Sequence, residues 1–352
     1  MAKNTSYDSV LILGNGFDKN CGLKTSYTDV YQEYVTTPSS SATIQKFKNE
    51  IQNDFENWSD FEIGMAKYAQ SLSSEAEIIE CVTDFDYFIH EYLKRVQSEF
   101  FDEFSKLETN KNCITEFIDS IKTMGYGVSH NCDNLLTSLD IPNPFRLGCI
   151  SFNYTEIFDR FLSYSNINYP GTIHVHGKLG DDPILGVDRE SQLDLKFPIS
   201  DNLKRSFIKP FFNDEYDSTR VRTAREMIES AKIIFVYGAS LGESDLSWRE
   251  LLGTWLQKDS NNHLFFYDYK NTSKTFRTAP ERLNYELAQK RELLKDWKLD
   301  DKDQMLSQIH LPCGRNIFNV GDAMAKDEKE SERIKKEKAA IKHPTIRINT
   351  EA

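Results

Sequence analysis

The chain has 352 residues, with 43 Lys and Arg against 55 Asp and Glu and a net charge of −12. An acidic balance of this size speaks against a broad nucleic-acid or anionic-membrane footprint, because both need clustered cations. The start, M-A-K-N-T-S-Y-D-S, has no basic-then-apolar leader, and no apolar run approaches the ~18 residues of a membrane helix, so a cytoplasmic protein without a membrane partner is expected. The six cysteines are scattered without a Cys-x-x-Cys pair, which reads as reduced thiols with no metal site.

The first element is an apolar strand ending at Leu13, which runs straight into Gly14-Asn15-Gly16-Phe17-Asp18. A strand followed by Gly-x-Gly lets a phosphate approach bare backbone, because no Cβ stands in the way. The third glycine of the dinucleotide fingerprint is absent, with Lys19 at that place. The loop is therefore of nucleotide type without being a dehydrogenase loop. A helix over 27–35 follows, with Thr25, Ser26 and Asp29 placed to start it.

Residues 40–140 read as helical. Tyr87, Phe88, Tyr92, Leu93, Val96, Phe100, Phe101, Phe104 and Leu107 recur at three- and four-residue steps with charges between them. That is the pattern of an amphipathic helix on an apolar support, and such a stripe is core material rather than a cofactor box. Connectors at 36–41 and 141–144 bound the block. The expected organisation is a first piece of an α/β domain over 1–35, a helical insertion over 36–144, the remainder of that domain over 145–322 and a charged tail over 323–352. Residues 326–338 are almost all charged and read as a solvated helix or mobile segment. Residues 344–348 suit an added edge strand or a contact in a homo-oligomer.

Past Pro144, residues 146–152, 172–175, 232–237 and 263–267 are short, apolar and rich in β-formers, with helical segments such as Ser218–Ser230 between them. This alternation predicts an α/β, Rossmann-like, mostly parallel sheet covered on both faces. Ligands of such sheets sit beyond the carboxyl ends of the strands.

Polar residues gather at those ends: the loop at 14–18, Asn153-Tyr154-Thr155, His176-Gly177, the stretch 238–245, and Asp268. Five such loops on one edge predict a composite site for a polar, phosphate-bearing ligand. Each member also has a plainer reading. Asn153 suits the cap of a helix starting near Glu156. His174 and His176 alternate along a strand and point to opposite faces; His176, beside Gly177, is the functional candidate. Gly238 and Gly242 suit turns, Asp245 suits a cap for a helix over 248–256, and Asp268 suits an exposed loop.

The ordered set L-I-L-G-N-G-F-D, G-L-K-T-S-Y-T-D, W-S-D-F-E at Trp58 to Glu62, F-N-Y-T, I-H-V-H-G and Y-G-A-S-L-G-E-S-D resembles the AbiH bacteriophage abortive-infection family over residues 8–270. That family is in turn similar to the sirtuin-like NAD-binding fold. The resemblance implies NAD as ligand or substrate. By it, Gly14, Asn15, Gly16 and Phe17 form the pyrophosphate loop. Asn153 and His176 flank the nicotinamide ribose as catalytic residues, with Asp18 beside them. Gly238, Ser240 and Leu241 contact phosphate and ribose, and Asp268 sits by the adenine ribose. The chain departs from sirtuins in lacking paired Cys-x-x-Cys motifs, in its long helical insertion, and in having Asn153-Tyr154-Thr155 where Asn-x-Asp is usual. These departures argue against a protein deacylase.

The expected chemistry is NAD glycohydrolysis by an antiphage effector. Cleaving the nicotinamide–ribose bond develops positive charge on the ribose. An Asn can hold the water, a His with an ordinary pKa of ~6.5 can take its proton, and Asp18 and Glu62 can stabilise the cation if they face the site. Glu62 reads equally as an exposed helix residue, and Trp58 and Phe61 as anchors of the insertion. The alternative is a non-catalytic NAD or ADP-ribose sensor whose partner carries the toxicity. Either reading leaves room for a phage-derived activator. A nuclease is disfavoured by the acidic balance and by the lack of a clustered carboxylate motif.

Overall fold

The computed structural model describes residues 8–342 apart from 127, 129, 139–146, 166–170, 182, 217, 298, 300 and 301. The expected strand start at Arg146 and the segment 344–348 lie outside the described residues.

Short runs of apolar and aromatic residues build a six-stranded sheet: β1 (Ser9–Leu13), β2 (Leu147–Ser151), β3 (Thr172–His174), β4 (Ile233–Tyr237), β5 (His263–Tyr267) and β6 (Ile309–His310). Every pairing is parallel and the order is β3-β2-β1-β4-β5-β6. That order belongs to doubly wound α/β sheets, with the topological switch between β1 and β4. All five residues of β1, of β2 and of β4 are buried, as in parallel strands covered on both faces. β6 adds a strand to those expected.

Sixteen α-helices surround the sheet among the described residues. The first half of the chain holds α1 (Gly16–Asn20), α2 (Tyr27–Tyr34), α3 (Ala42–Asn53), α4 (Phe61–Ala69), α5 (Glu75–Ser105), α6 (Lys111–Thr123), α7 (His130–Ser138) and α8 (Ile157–Tyr164). The second half holds α9 (Asp201–Phe207), α10 (Lys209–Tyr216), α11 (Ser218–Ser230), α12 (Leu246–Lys258), α13 (Tyr269–Thr272), α14 (Ala279–Leu294), α15 (Lys302–Met305) and α16 (Val320–Lys342). Ser26 caps α2 in a capping box with Asp29, so that helix starts where its sequence places it.

Strand alternation divides the apolar residues between two faces. Leu11, Leu13, Phe235, Tyr237, Phe265 and Tyr267 pack with α1, α6, α8, α16 and the end of α5. Val10, Ile12, Ile234, Val236, Leu264 and Phe266 pack under α11 and α12. A third core joins α2 to α5 with α9, and is dominated by rings such as Tyr31, Phe47, Trp58, Phe61 and Phe85. Phe61 and Phe85 stack with centroids 4.0 Å apart; burying each such side chain contributes about 2–3 kcal/mol. The 31 residues of α5 span about 46 Å at 1.5 Å per residue. It buries Phe85, Ile89 and Leu93 in the third core and Phe100 and Phe104 against the sheet. Tyr87 does not belong to the expected stripe: it is 73 % exposed, because it lies two residues from both Phe85 and Ile89 and so on the opposite side of the helix.

The charged tail is also not wholly solvated. Asp327 of α16 is fully buried, and its carboxylate accepts from the Asn112 N–H at 3.1 Å, Asn112 Nδ2 at 2.8 Å and the Cys113 N–H at 2.9 Å. Ser331 Oγ accepts from the Glu108 N–H at 2.9 Å. Asn110, the N-cap of α6, makes no side-chain cap bond, so Asp327 from a remote helix satisfies the open donors and suits the positive helix end. Most of the later turns of α16 are exposed.

All six cysteines are buried, and none forms a disulfide among the described residues. No helix among the described residues is long and apolar enough to cross a membrane.

Candidate functional site

Because the strands are parallel, the loops after β1 to β5 leave one edge of the sheet. At the switch point two of them interlock. The Gly14 N–H donates to the Tyr237 carbonyl at 3.0 Å and the Gly16 N–H to the Gly238 carbonyl at 2.9 Å. Gly238 has φ +68°, and a Cβ at Gly16 would stand 2.5 Å from Gly238 Cα. A Cβ at Gly14 would stand 2.5 Å from Ala239 Cα. These glycines are required by loop-on-loop packing, and the N–H groups of Gly14 and Gly16 are engaged within the protein. Leu241 follows with φ +49°, a left-handed conformation rare for leucine, and its side chain is buried. Ser240 is exposed. Asn15 Nδ2 donates to the Thr25 carbonyl at 2.8 Å, which pins the first loop to the start of α2. Phe17 sits in the core, edge-on to Phe158 at 5.3 Å and Phe318 at 5.4 Å.

The first polar centre forms around Asp18. Its carboxylate accepts from Asn153 Nδ2 at 3.1 Å and Thr155 Oγ1 at 2.6 Å. Asn153 Nδ2 also donates to the Gly14 carbonyl at 3.1 Å, so Asn153 ties the β2 loop to the β1 loop and does not cap α8. His174 Nδ1 donates to the Asn153 carbonyl at 2.9 Å, and its Nε2 lies 3.0 Å from Asp159. Burial pushes Asp18 up to about 7, against the hydrogen bonds from Thr155 and Asn153 and the nearby His174, which pull it down.

The second polar centre gathers residues that lie far apart in the chain. His176, just past β3, is 6 % exposed. Its Nε2 lies 3.2 Å from Asp245 Oδ1, within charge contact but without an aligned hydrogen bond. Lys209, at the start of α10, donates to Asp245 Oδ1 at 3.1 Å and to the Ser244 carbonyl at 3.0 Å. Lys209 Nζ stands 3.6 Å from Glu62 Oε1, and Tyr27 Oη donates to Glu62 Oε2 at 3.0 Å. Asp60 caps α4 through the Ile63 N–H and accepts from Ser244 Oγ at 2.8 Å.

The charges set one another. Burial alone would lower Lys209, but Asp245 and Glu62 outweigh it and hold the ammonium protonated. Burial alone would raise Asp245, yet Lys209 and His176 bring it well below the carboxylate range. Burial and the Lys209 charge keep His176 below its usual value, opposed by Asp245, so the ring is neutral at pH 7. Burial pushes Glu62 up to about 8; Lys209 opposes this, and Asp60 and Asp245 add to it. Two carboxyls in one centre are thereby driven apart, the arrangement that separates acid from base roles.

Of the residues expected at the edge, the structure brings Gly14, Gly16, Asp18, Asn153 and Gly238 into one packed unit and sets His176 against Asp245. Glu62 faces this edge and is buried, in contrast to its reading as an exposed helix residue. Asp245 spends its carboxylate on Lys209 and His176 rather than on a cap bond. Asp268 does cap α13, accepting from the Lys270 N–H at 3.0 Å. Sequence reasoning missed Lys209. Its one signal is a lysine enclosed in S-F-I-K-P-F-F, because a lysine among apolar neighbours demands buried carboxylates. A separate open cleft of about 570 Å³ lies between α2 and α5, lined in part by Lys24, Glu33, Tyr92, Arg95 and Phe100.

A comparison with curated proteins returns no match. The family model described as "Bacteriophage abortive infection AbiH" matches residues 10–267, from the second residue of β1 to the last of β5. Both polar centres lie within that span, and the chain belongs to the AbiH family.

Proposed function

We propose that the protein is an abortive-infection effector that binds NAD at the carboxyl edge of a sirtuin-like, Rossmann-like sheet and hydrolyses its nicotinamide–ribose bond. The observation that carries this reading is the neutral His176 held beside Asp245 at the strand-end edge, with Nε2 free of an aligned hydrogen bond. In the reaction the bond from ribose C1′ to the nicotinamide nitrogen breaks and nicotinamide leaves with the electron pair. Water oxygen bonds to C1′, and its proton passes to the free nitrogen of the neutral His176 ring. Asp245 then balances the imidazolium. Proton transfer of this kind supplies about 10² to 10⁴ in rate. Asn153 acts by holding the β1 loop through Gly14 and Asp18.

Nicotinamide release by the purified protein tests this, with His176→Ala and Asn153→Ala beside wild type. Each variant is expected to be slower by about 10² or more. Equal rates in all three remove both residues from the mechanism. A sensor is the second reading, favoured by the engaged N–H groups of Gly14 and Gly16 and by the burial of His176. It predicts calorimetric binding of NAD or ADP-ribose with no nicotinamide released, including after addition of extract from phage-infected cells as a source of activator.

A further inference from the structure

Glu62 comes from α4, which packs in the third, aromatic core, yet its carboxyl lies in the polar centre at the sheet edge. The groups that face it are Lys209 from α10, Asp245 from the β4 loop, Asp60 at the start of its own helix, the phenols of Tyr27 and Tyr31 from α2, and Tyr154 from the β2 loop. His176 joins through Asp245 and Lys209, and Arg220 bears on His176. Among the described charges acting on Glu62, one cation faces two other carboxylates. That cation closes on Asp245 at 3.1 Å and reaches Glu62 only at 3.6 Å. An ionised Glu62 would have no counter-charge of its own, and a buried carboxylate needs one. Lys209 is shared between the two carboxyls, so Glu62 has only part of a counter-charge. The centre also holds unspent polar atoms: among the described residues the buried Tyr31 hydroxyl has no hydrogen-bond partner and His176 Nε2 no aligned one.

We propose that Glu62 is the specificity-determining residue of the site, selecting a ligand that carries a positively charged, pyridinium-type ring. This rests on the NAD reading above and sharpens it: oxidised NAD is accepted, while NADH and ADP-ribose, which lack the charged ring, are disfavoured. With the site empty, Glu62 is mostly a neutral acid at pH 7, because burial holds it near 8. A cation beside it favours the charged form. The O–H bond then breaks, the electron pair stays on Glu62, the proton leaves to buffer, and the new carboxylate balances the ring. During cleavage the positive charge moves from the ring to the ribose beside that same carboxylate.

The test uses wild-type protein and the carbocyclic analogue of NAD, which keeps the pyridinium ring and is not hydrolysed. Calorimetry in two buffers of different ionisation enthalpy reads the protons released. Close to one proton per analogue bound is expected at pH 7, from a carboxyl held near 8 that ionises beside the cation. ADP-ribose is expected to release none, and NADH to bind about tenfold or more weakly. Glu62→Gln should abolish the release and weaken the analogue about tenfold while leaving ADP-ribose binding unchanged. Equal proton counts for the analogue and ADP-ribose overturn the proposal and leave the NAD site standing. Release that persists in Glu62→Gln assigns the proton to Asp18 and also overturns it. Failure of the analogue, NADH and ADP-ribose alike to bind overturns the NAD reading and this inference together.

Discussion

Asp18 and Glu62 are both buried carboxyls at the same sheet edge, and their surroundings are opposite in kind. Asp18 takes one bond from Asn153 and one from Thr155, and the chain continues through His174 to Asp159. Each hydrogen bond to a charged group is worth about 1.5–3 kcal/mol. That network fastens the β1 and β2 loops to β3 and α8. Glu62 receives one phenol and a share of a lysine that belongs to Asp245. The difference teaches that polarity in a buried site has two uses. A satisfied network holds shape, and a carboxyl with only a shared cation stays responsive to the charges around it.

The largest effect should come from breaking the second centre. Lys209→Met leaves Asp245 buried without its cation, and is expected to cost about 3–5 kcal/mol in urea unfolding at pH 7. Adding Asp245→Asn should recover part of that loss. A cost below about 1 kcal/mol would show the centre to be solvated rather than buried.

The pH dependence separates the two carboxyls. Both are raised above their unfolded values, so the stability they contribute is present below those values and is lost as pH climbs through the folded ones. For Asp18 the window runs from 3.8 to about 7, and for Glu62 from 4.5 to about 8. Each contributes a fall of about 1.4 kcal/mol per pH unit inside its window. Glu62→Gln should therefore flatten the decline between pH 7 and 8, and Asp18→Asn should flatten it only below 7. Asp245, held low by its partners, acts with the opposite sign and loses its contribution only in acid. Identical pH profiles for the two variants would erase the distinction between the centres.

The smallest effect concerns the link between α4 and the β4 loop. Ser244→Ala removes the bond to Asp60 and should cost about 1 kcal/mol. A thermal shift of a few degrees would register it.

Much of the fold was legible because its signals are local. Apolar runs marked β1, β2, β4 and β5, and Ser26 with Asp29 marked the start of α2. The strand-end rule puts Asp18, Asn153 and His176 on one edge. The rest depends on partners remote in sequence. Lys209 meets Glu62 and Asp245 only after folding, and Asp327 finds the donors of α6 across most of the chain. Asn153 and Asp245 carry the local preference of helix caps, but buried acceptors and cations outcompete a cap worth about 1 kcal/mol. Freedom from a Cβ is legible at Gly14 and Gly16 as room for a phosphate, while in the structure the neighbour that takes the space is another loop.

The interlock of Gly16 with Gly238 has a consequence for how the molecule is made. β1 leaves the ribosome early and lacks its β4 neighbour until residues 233–237 have followed. Contacts of such long sequence separation form slowly, since the intervening chain must first be ordered. The second centre waits longer still, for Asp245 to reach Lys209. A fragment ending before β4 has the glycine loop without the surface that closes it, and one ending before Asp245 has Lys209 without its nearest anion.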